Sequence, residues 1–93
     1  MDMKLEEYRE KIDAVDEKLV ALFAERMELS RAIAEYKKEN GLPVLDASRE
    51  KEKLDRAAEQ SPAELREYTR RLYTLLIELS RDYQRELIGK ERG

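Results

Sequence analysis

From Leu5 to Glu39 the chain reads LEEYREKIDAVDEKLVALFAERMELSRAIAEYKKE. Its apolar residues step by three and four: Leu5, Tyr8, Ile12, Val15, Leu19 and Leu22, then, after a gap, Leu29, Ile33 and Tyr36. This spacing, with a period of about 3.5, is the seam of a helix that packs lengthwise against other helices. Asn40-Gly41 supplies the stop and Pro43 blocks a restart. About 35 residues at 1.5 Å each make a rod of roughly 50 Å, longer than a compact chain of 93 residues is wide.

Two further helices follow. The second is expected from about Ala47 to Glu59, with Asp46 as its N-cap and a modest apolar face at Leu54, Ala57 and Ala58. Ser61-Pro62-Ala63-Glu64 then reads as the start of a third, with an N-cap serine, proline in the first helical position and a capping-box glutamate. Leu65, Tyr68, Leu72, Leu75, Leu76, Leu79 and Tyr83 form its expected core stripe, and Gly89 its expected stop. The fold class is therefore all-α: three helices per chain, long, short and medium-long. They form one domain over residues 1–93, with a core from about 5 to 88 and a frayed tail at 89–93. One short and one medium helix cannot cover the long seam, but a second copy of the chain can. The expected assembly is an intertwined homodimeric helical bundle, which also offsets the thin core of so small a domain.

Composition narrows the function. Charged residues make up 44% of the chain and aromatics 6%, as suits amphipathic helices with solvated outer faces. The net charge of −3 gives no basic field for nucleic acid. No apolar run approaches the roughly 20 residues of a membrane span, and the opening residues are too acidic and polar for a signal peptide, so a cytoplasmic setting is expected. There is no cysteine and no histidine, so disulfides, thiolate metal sites and the usual general base are absent from the sequence. Phosphate-loop, HExxH and CxxC motifs are missing too. No metal and no cofactor is expected. Asp46 and Glu50, four residues apart, make at most a weak divalent-ion site.

Several residues break the amphipathic pattern. The heptad that carries Leu5, Ile12, Leu19 and Ile33 places Arg26 on the seam. A guanidinium there is costly unless an anion meets it. Two readings stand: a buried ion pair that sets specificity, or a pocket for an anionic ligand. Lys37 lies eleven residues on, within about 20° of the same face and roughly 16 Å along the axis. A small dianion between the two is within reach of both, although Lys37 alone also suits the helix C-terminus. Arg9 flanks the same seam but lies roughly 42 Å from Lys37. If it belongs to one site with Lys37, it comes from a partner chain; otherwise it is a surface arginine. Tyr73, Ile77, Ser80 and Gln84 make a second stripe on the third helix, which is either a partly exposed flank or a hydrogen-bonding wall. Asp46 and Glu50 suit the positive end of the second helix, whereas Arg49 opposes it.

Together these residues resemble the all-α class of chorismate mutase, over about Leu5 to Ile88. The run from Arg9 through Ile12-Asp13, Val15-Asp16 and Leu19 is similar to the family's opening R-x-x-I-D-x-[IVL]-D-x-x-[IL] pattern. Ala24-Glu25-Arg26 and Ile33-Ala34-Glu35-Tyr36-Lys37 follow. Pro43-Val44-Leu45-Asp46-Ala47-Ser48-Arg49-Glu50 matches P-[VI]-x-D-x-x-R-E. Ser80 and Gln84 fall where the family's third helix faces its ligand.

The resemblance implies the conversion of chorismate to prephenate, in phenylalanine and tyrosine biosynthesis. This intramolecular Claisen rearrangement needs no nucleophile, metal or cofactor. It also implies roles. Arg9 from the partner chain, Arg26 and Arg49 hold the carboxylates. Lys37 and Gln84 donate to the ether oxygen. Asp46 and Glu50 meet the ring hydroxyl region, Asp46 through its backbone, and Ser80 supports a carboxylate. Lys37, Gln84 and Arg26 are the catalytic set. Two positions depart from the family's habit: Ser30, where relatives often carry a small apolar residue, and Arg81, where a wall residue is often apolar. Either is expected to loosen the pocket or to lower the rate. The rival functions are an isochorismate-pyruvate lyase on the same fold and a non-catalytic helical dimerisation module.

Overall fold

A computed structural model describes residues 3–92 of the chain, with side chains placed for residues 4–89. Three α-helices account for most of it. Helix α1 spans Met3–Glu39, α2 spans Ala47–Gln60, a 3-10 turn covers Ala63–Leu65, and α3 spans Arg66–Arg92. Helix α3 packs along both α1 and α2.

The end of α1 is set by its own chemistry. Gly41 takes a left-handed φ of 64°. Its N–H then reaches Lys38 O at 3.3 Å, and Leu42 N–H reaches Lys37 O at 2.8 Å. These are the two bonds of a Schellman stop, and they satisfy carbonyls the helix would otherwise leave open. Asp46 caps α2 as expected, its Oδ1 accepting from Arg49 N–H at 3.1 Å. Ala57 and Ala58 are buried and Leu54 is half-buried, so the face read for α2 is the face that packs.

Two expectations for α3 fail. Ser61 is not its N-cap, and no capping box forms. Helix α2 runs to Gln60, so Ser61 is spent closing it: its N–H bonds Ala58 O at 3.2 Å and its hydroxyl meets Thr69 Oγ1 at 2.7 Å. Pro62 is extended, at φ −53° and ψ 142°, and accepts from Leu65 N–H at 2.9 Å to close the 3-10 turn. Nor does Gly89 stop α3, which continues to Arg92. A helical glycine costs about 1 kcal/mol relative to alanine but does not itself turn the chain.

The third difference is which stripe of α3 packs. The leucine-rich stripe is bare over its first part and partly covered over its second: Leu65, Tyr68, Leu72 and Leu75 are exposed, while Leu76, Leu79 and Tyr83 are half-buried. The second stripe is covered along its length, with Tyr73, Ile77 and Ser80 half-buried and Gln84 buried. Within one chain, α1 and α2 close over the more polar stripe. The only fully covered apolar residues among those described are Ala34, Ala57 and Ala58. Every apolar residue of the α1 seam is exposed, including Ile12 at 58% and Leu19 at 55%. The chain measures 59 × 28 × 14 Å, with a radius of gyration of 17.1 Å. A compact chain of this length would have a radius of gyration of about 12 Å.

Candidate active site

The C-terminal half of α1, the first half of α2 and the second half of α3 enclose an open cleft of about 480 Å³. That volume suits a small organic ligand. Leu29, Ile33, Val44 and Ile77 supply its apolar walls. Arg26, Lys37, Asp46, Arg49, Glu50, Ser80 and Gln84 all line it. Seven of the eight residues singled out in the sequence are therefore brought together by one chain.

Each is held by its own helix. Arg26 is half-buried on the seam, and its Nη1 donates to Leu76 O at 3.4 Å. That single long bond leaves most of the guanidinium's donors free. Lys37, in the last turn of α1, donates from Nζ to Val44 O at 2.7 Å. The bond ties the end of α1 to the connecting segment and leaves two ammonium hydrogens for a ligand. Arg49 is exposed and loosely tied to Glu52 at 3.4 Å. Glu50 is held firmly instead, its Oε1 accepting from Arg81 Nη1 at 2.8 Å across the α2–α3 junction.

The α1–α3 wall carries an ordered chain of hydroxyls. Ser30 Oγ donates to Arg26 O at 3.1 Å, and Ser30 Oγ and Ser80 Oγ stand 2.6 Å apart. Gln84 Nε2 donates to Ser80 Oγ at 3.2 Å. With the Ser30 proton on Arg26 O, Ser80 donates to Ser30. This arrangement leaves Gln84 Oε1 buried with no hydrogen-bond partner among the described residues. An orphan of that kind costs roughly 1–3 kcal/mol. The same heavy atoms also accommodate the reverse order, with Ser30 donating to Ser80, Ser80 donating to Oε1 of a turned-over amide, and Nε2 facing the cleft.

Three polar lining residues lay outside the set read from sequence: Ser30, Arg81 and Lys53. Ser30 and Arg81, the two departures from the family's habit, both have partners in the fold. Ser30 is buried at 4% exposure and bonded on two sides, and Arg81 pins Glu50. Lys53 had an available signal, since it lies four residues after Arg49 and three after Glu50 on one helix. Burial, followed by the charges of Arg49, Arg26 and Arg56, holds its ammonium below the usual lysine pKa.

Five cations and two carboxylates line the cleft, a surplus of three positive charges in a chain whose net charge is −3. The walls thus concentrate positive potential where an anion can be desolvated.

Arg9 is the residue that one chain does not bring in. It is 62% exposed on the N-terminal half of α1 and pairs with Glu6 at 2.8 Å. Among the described residues no group of three or more acidic side chains is placed to hold a metal ion. No described helix is long and apolar enough to cross a membrane.

Comparison with known proteins agrees with this geometry. The family model for chorismate mutase type II matches residues 8–85. The chain is 47% identical over 53 residues to a chorismate mutase of Methanocaldococcus jannaschii, a stretch covering 57% of this chain and 54% of that protein. It is 43% identical over 72 residues to the bifunctional chorismate mutase/prephenate dehydratase of Escherichia coli K12, covering 75% of this chain and 19% of that protein. The matched stretch thus spans about half of the first relative and a fifth of the second. Among solved structures, a conserved hypothetical protein from Pyrococcus furiosus superposes with a TM-score of 0.74 at 34% identity, over 90% of this chain and 99% of that one. With the match running from Tyr8 on the long helix through Gln84 on α3, the chain belongs to the type II chorismate mutase family.

Proposed function

We propose that the chain is a chorismate mutase: an isomerase of phenylalanine and tyrosine biosynthesis that converts chorismate to prephenate without metal or cofactor. The observation that carries this reading is the cleft itself, with Arg26, Lys37, Arg49, Ser80 and Gln84 converging on a space of substrate size. Chorismate carries two carboxylates and reacts only from a compact, folded conformer. Arginines that hold both carboxylates select that conformer and remove an entropic barrier. As the ether C–O bond breaks and the new C–C bond forms, negative charge gathers on the ether oxygen. Fixed donors aimed there stabilise the transition state more than the substrate.

Lys37 Nζ, anchored through Val44, is one such donor, and Gln84 Nε2 is the other. An ether oxygen only accepts, so bound substrate favours the reversed hydroxyl chain, which turns Nε2 into the cleft and gives Oε1 a partner. Arg49 and Arg26 take carboxylate, with support from Ser80. Glu50, oriented by Arg81, and the backbone of Asp46 meet the ring hydroxyl region.

The working unit is an intertwined homodimer in which Arg9 of each chain completes the site of the other. The exposed seam of α1 and the bare first part of the leucine stripe of α3 support this, since a water-soluble chain does not present so long an apolar face alone. In this reading residues 1–93 act as one domain in the cytoplasm, with no nucleic acid or membrane as partner.

The test is an assay of purified protein with chorismate, following loss of substrate absorbance and identifying the product. Prephenate is the expected product. If the same protein instead turns isochorismate into salicylate and pyruvate, the lyase reading takes its place. A folded dimer inert to both would be a dimerisation module. A monomer at micromolar concentration in sedimentation equilibrium contradicts the shared site.

A further inference from the structure

One cation of the cleft has no role in the scheme above. Lys53 stands on the cleft-facing stripe of α2, which runs from Asp46 through Glu50 to buried Ala57. Lys51, two residues earlier, shows what an outward lysine on this helix does: it is 82% exposed and leans on Asp55 at 3.7 Å. Lys53 is exposed as well, but it lines the cleft rim and makes no salt bridge among the described residues. The acidic groups around it on α2 are already engaged. Arg81 holds Glu50 at 2.8 Å, Arg49 holds Glu52 at 3.4 Å, and Arg70 and Lys51 share Asp55.

Its charged neighbours are mostly of its own sign. Burial comes first among the influences that lower its pKa, and the charges of Arg49, Arg26 and Arg56 follow. Only Glu52 pulls the other way. An isolated chain gains little from a lysine held among arginines whose one attractive carboxylate, Glu52, is already paired with Arg49. Local rules are broken in this way where a ligand supplies the missing partner.

We infer that Lys53 is a further substrate-binding residue of this cleft: with Arg49 and Arg26 it forms a three-cation end that receives a carboxylate of a small dianion. Identifying that dianion as chorismate rests on the function proposed above; the anion-binding role rests on the cleft alone. The mutual repulsion of three cations weakens when a carboxylate arrives, so the site is matched to its occupied state. The same surplus charge draws dianions in from solution, an effect that salt screens.

The experiment compares the parent with Lys53→Met and Lys53→Arg in steady-state chorismate turnover between 25 and 250 mM KCl. Prephenate, the product dianion, is titrated calorimetrically alongside. Lys53→Met is expected to raise KM about tenfold, the scale of one partly exposed charge-assisted contact, with the loss falling mainly on KM. Lys53→Arg should recover most of it. The fall of kcat/KM with salt should be shallower in Lys53→Met than in the parent, and prephenate affinity should drop with KM. Melting in the absence of ligand should show Lys53→Met at least as stable as the parent, which separates the effect from unfolding. A KM and a prephenate affinity within twofold of the parent overturn the assignment, whatever the turnover. A parent that does not turn over chorismate but loses prephenate binding in Lys53→Met keeps the assignment and removes the proposed reaction. A parent that binds neither anion overturns both.

Discussion

The two halves of α1 carry the same apolar repeat and meet different fates. From Arg26 to Lys37 the helix forms one wall of the cleft, with Ser30 and Ala34 buried and Arg26 and Lys37 half-buried. From Leu5 to Phe23 it touches no comparable wall, and every large apolar residue along it is exposed. The arginines differ in the same way: Arg26 faces the cleft, while Arg9 lies against Glu6 in solvent. A heptad therefore shows that a surface will be covered without showing by what. In the C-terminal half the chain's own α3 covers Ser30 and Ala34, while the seam residues Leu29, Ile33 and Tyr36 stay exposed on the open cleft side or to solvent. In the N-terminal half no described residue covers the seam, and a second copy is the proposed cover.

The strongest way to break this comparison is to charge the bare half. Ile12→Asp places a carboxylate at a position 58% exposed in one chain, where a solvated surface would tolerate it. If a partner covers the seam, the buried charge costs several kcal/mol in each copy. Sedimentation should then show monomer, the melting temperature should fall by about 10 °C or more, and turnover should approach background. A dimer of parental stability would mean that the N-terminal half is ordinary surface.

In the cleft half, Lys37→Ala removes one donor to the developing charge and should lower kcat by about 10²–10³-fold with the dimer intact. Near-parental turnover would take Lys37 out of the site. Gln84→Glu sharpens the neighbouring contact. An amide donates at any pH, whereas a carboxyl donates only while protonated, and its ordinary pKa is about 4.3. The variant's rate should fall as pH rises through its own carboxyl pKa, while the parent shows no such step from Gln84 between about pH 5 and 8. Matching pH profiles would show that Gln84 does not donate.

The smallest expected effect concerns stability. The folded protein holds the Lys53 pKa below its unfolded value. The charged form is thus penalised on folding, fully at pH below the lowered pKa, and the penalty fades as pH rises toward the usual lysine value. Lys53→Met should raise the ligand-free melting temperature slightly near neutral pH, and the gain should vanish at alkaline pH. A gain that does not change with pH would trace to packing instead of charge.

How much of this was legible in the sequence depended on whether the signal was local. The long helix, its Gly41 stop and the Asp46 cap were readable, since each needs only neighbours in the chain. Arg26 and Lys37 were placed on one face by helix periodicity alone. The capping box at Ser61 failed because the serine was claimed by the end of α2 and by Thr69, a competition that the motif does not encode. The leucine stripe of α3 was left bare from Leu65 to Leu75, beside a covered second stripe, for a deeper reason. Hydrophobicity marks what will finally be buried, whereas a single chain buries what its own helices happen to cover. Lys53 looked like any helical lysine until the structure showed every nearby carboxylate already engaged. Ser30 and Arg81 read as flaws in a pocket, and only their partners, Ser80 and Glu50, show what they hold.

The claim that joins both halves is a site made by two chains, and it can be tested by mixing. Arg9→Ala and Arg26→Ala chains are each purified, then unfolded and refolded together in equal amounts, and chorismate turnover is measured. Each homodimer lacks one arginine at both sites and should be nearly inactive. A heterodimer has one site with both arginines and one with neither, so random pairing should restore roughly a quarter of parental activity. Activity that stays at the level of the separate variants, or an Arg9→Ala homodimer as active as the parent, would contradict the shared site.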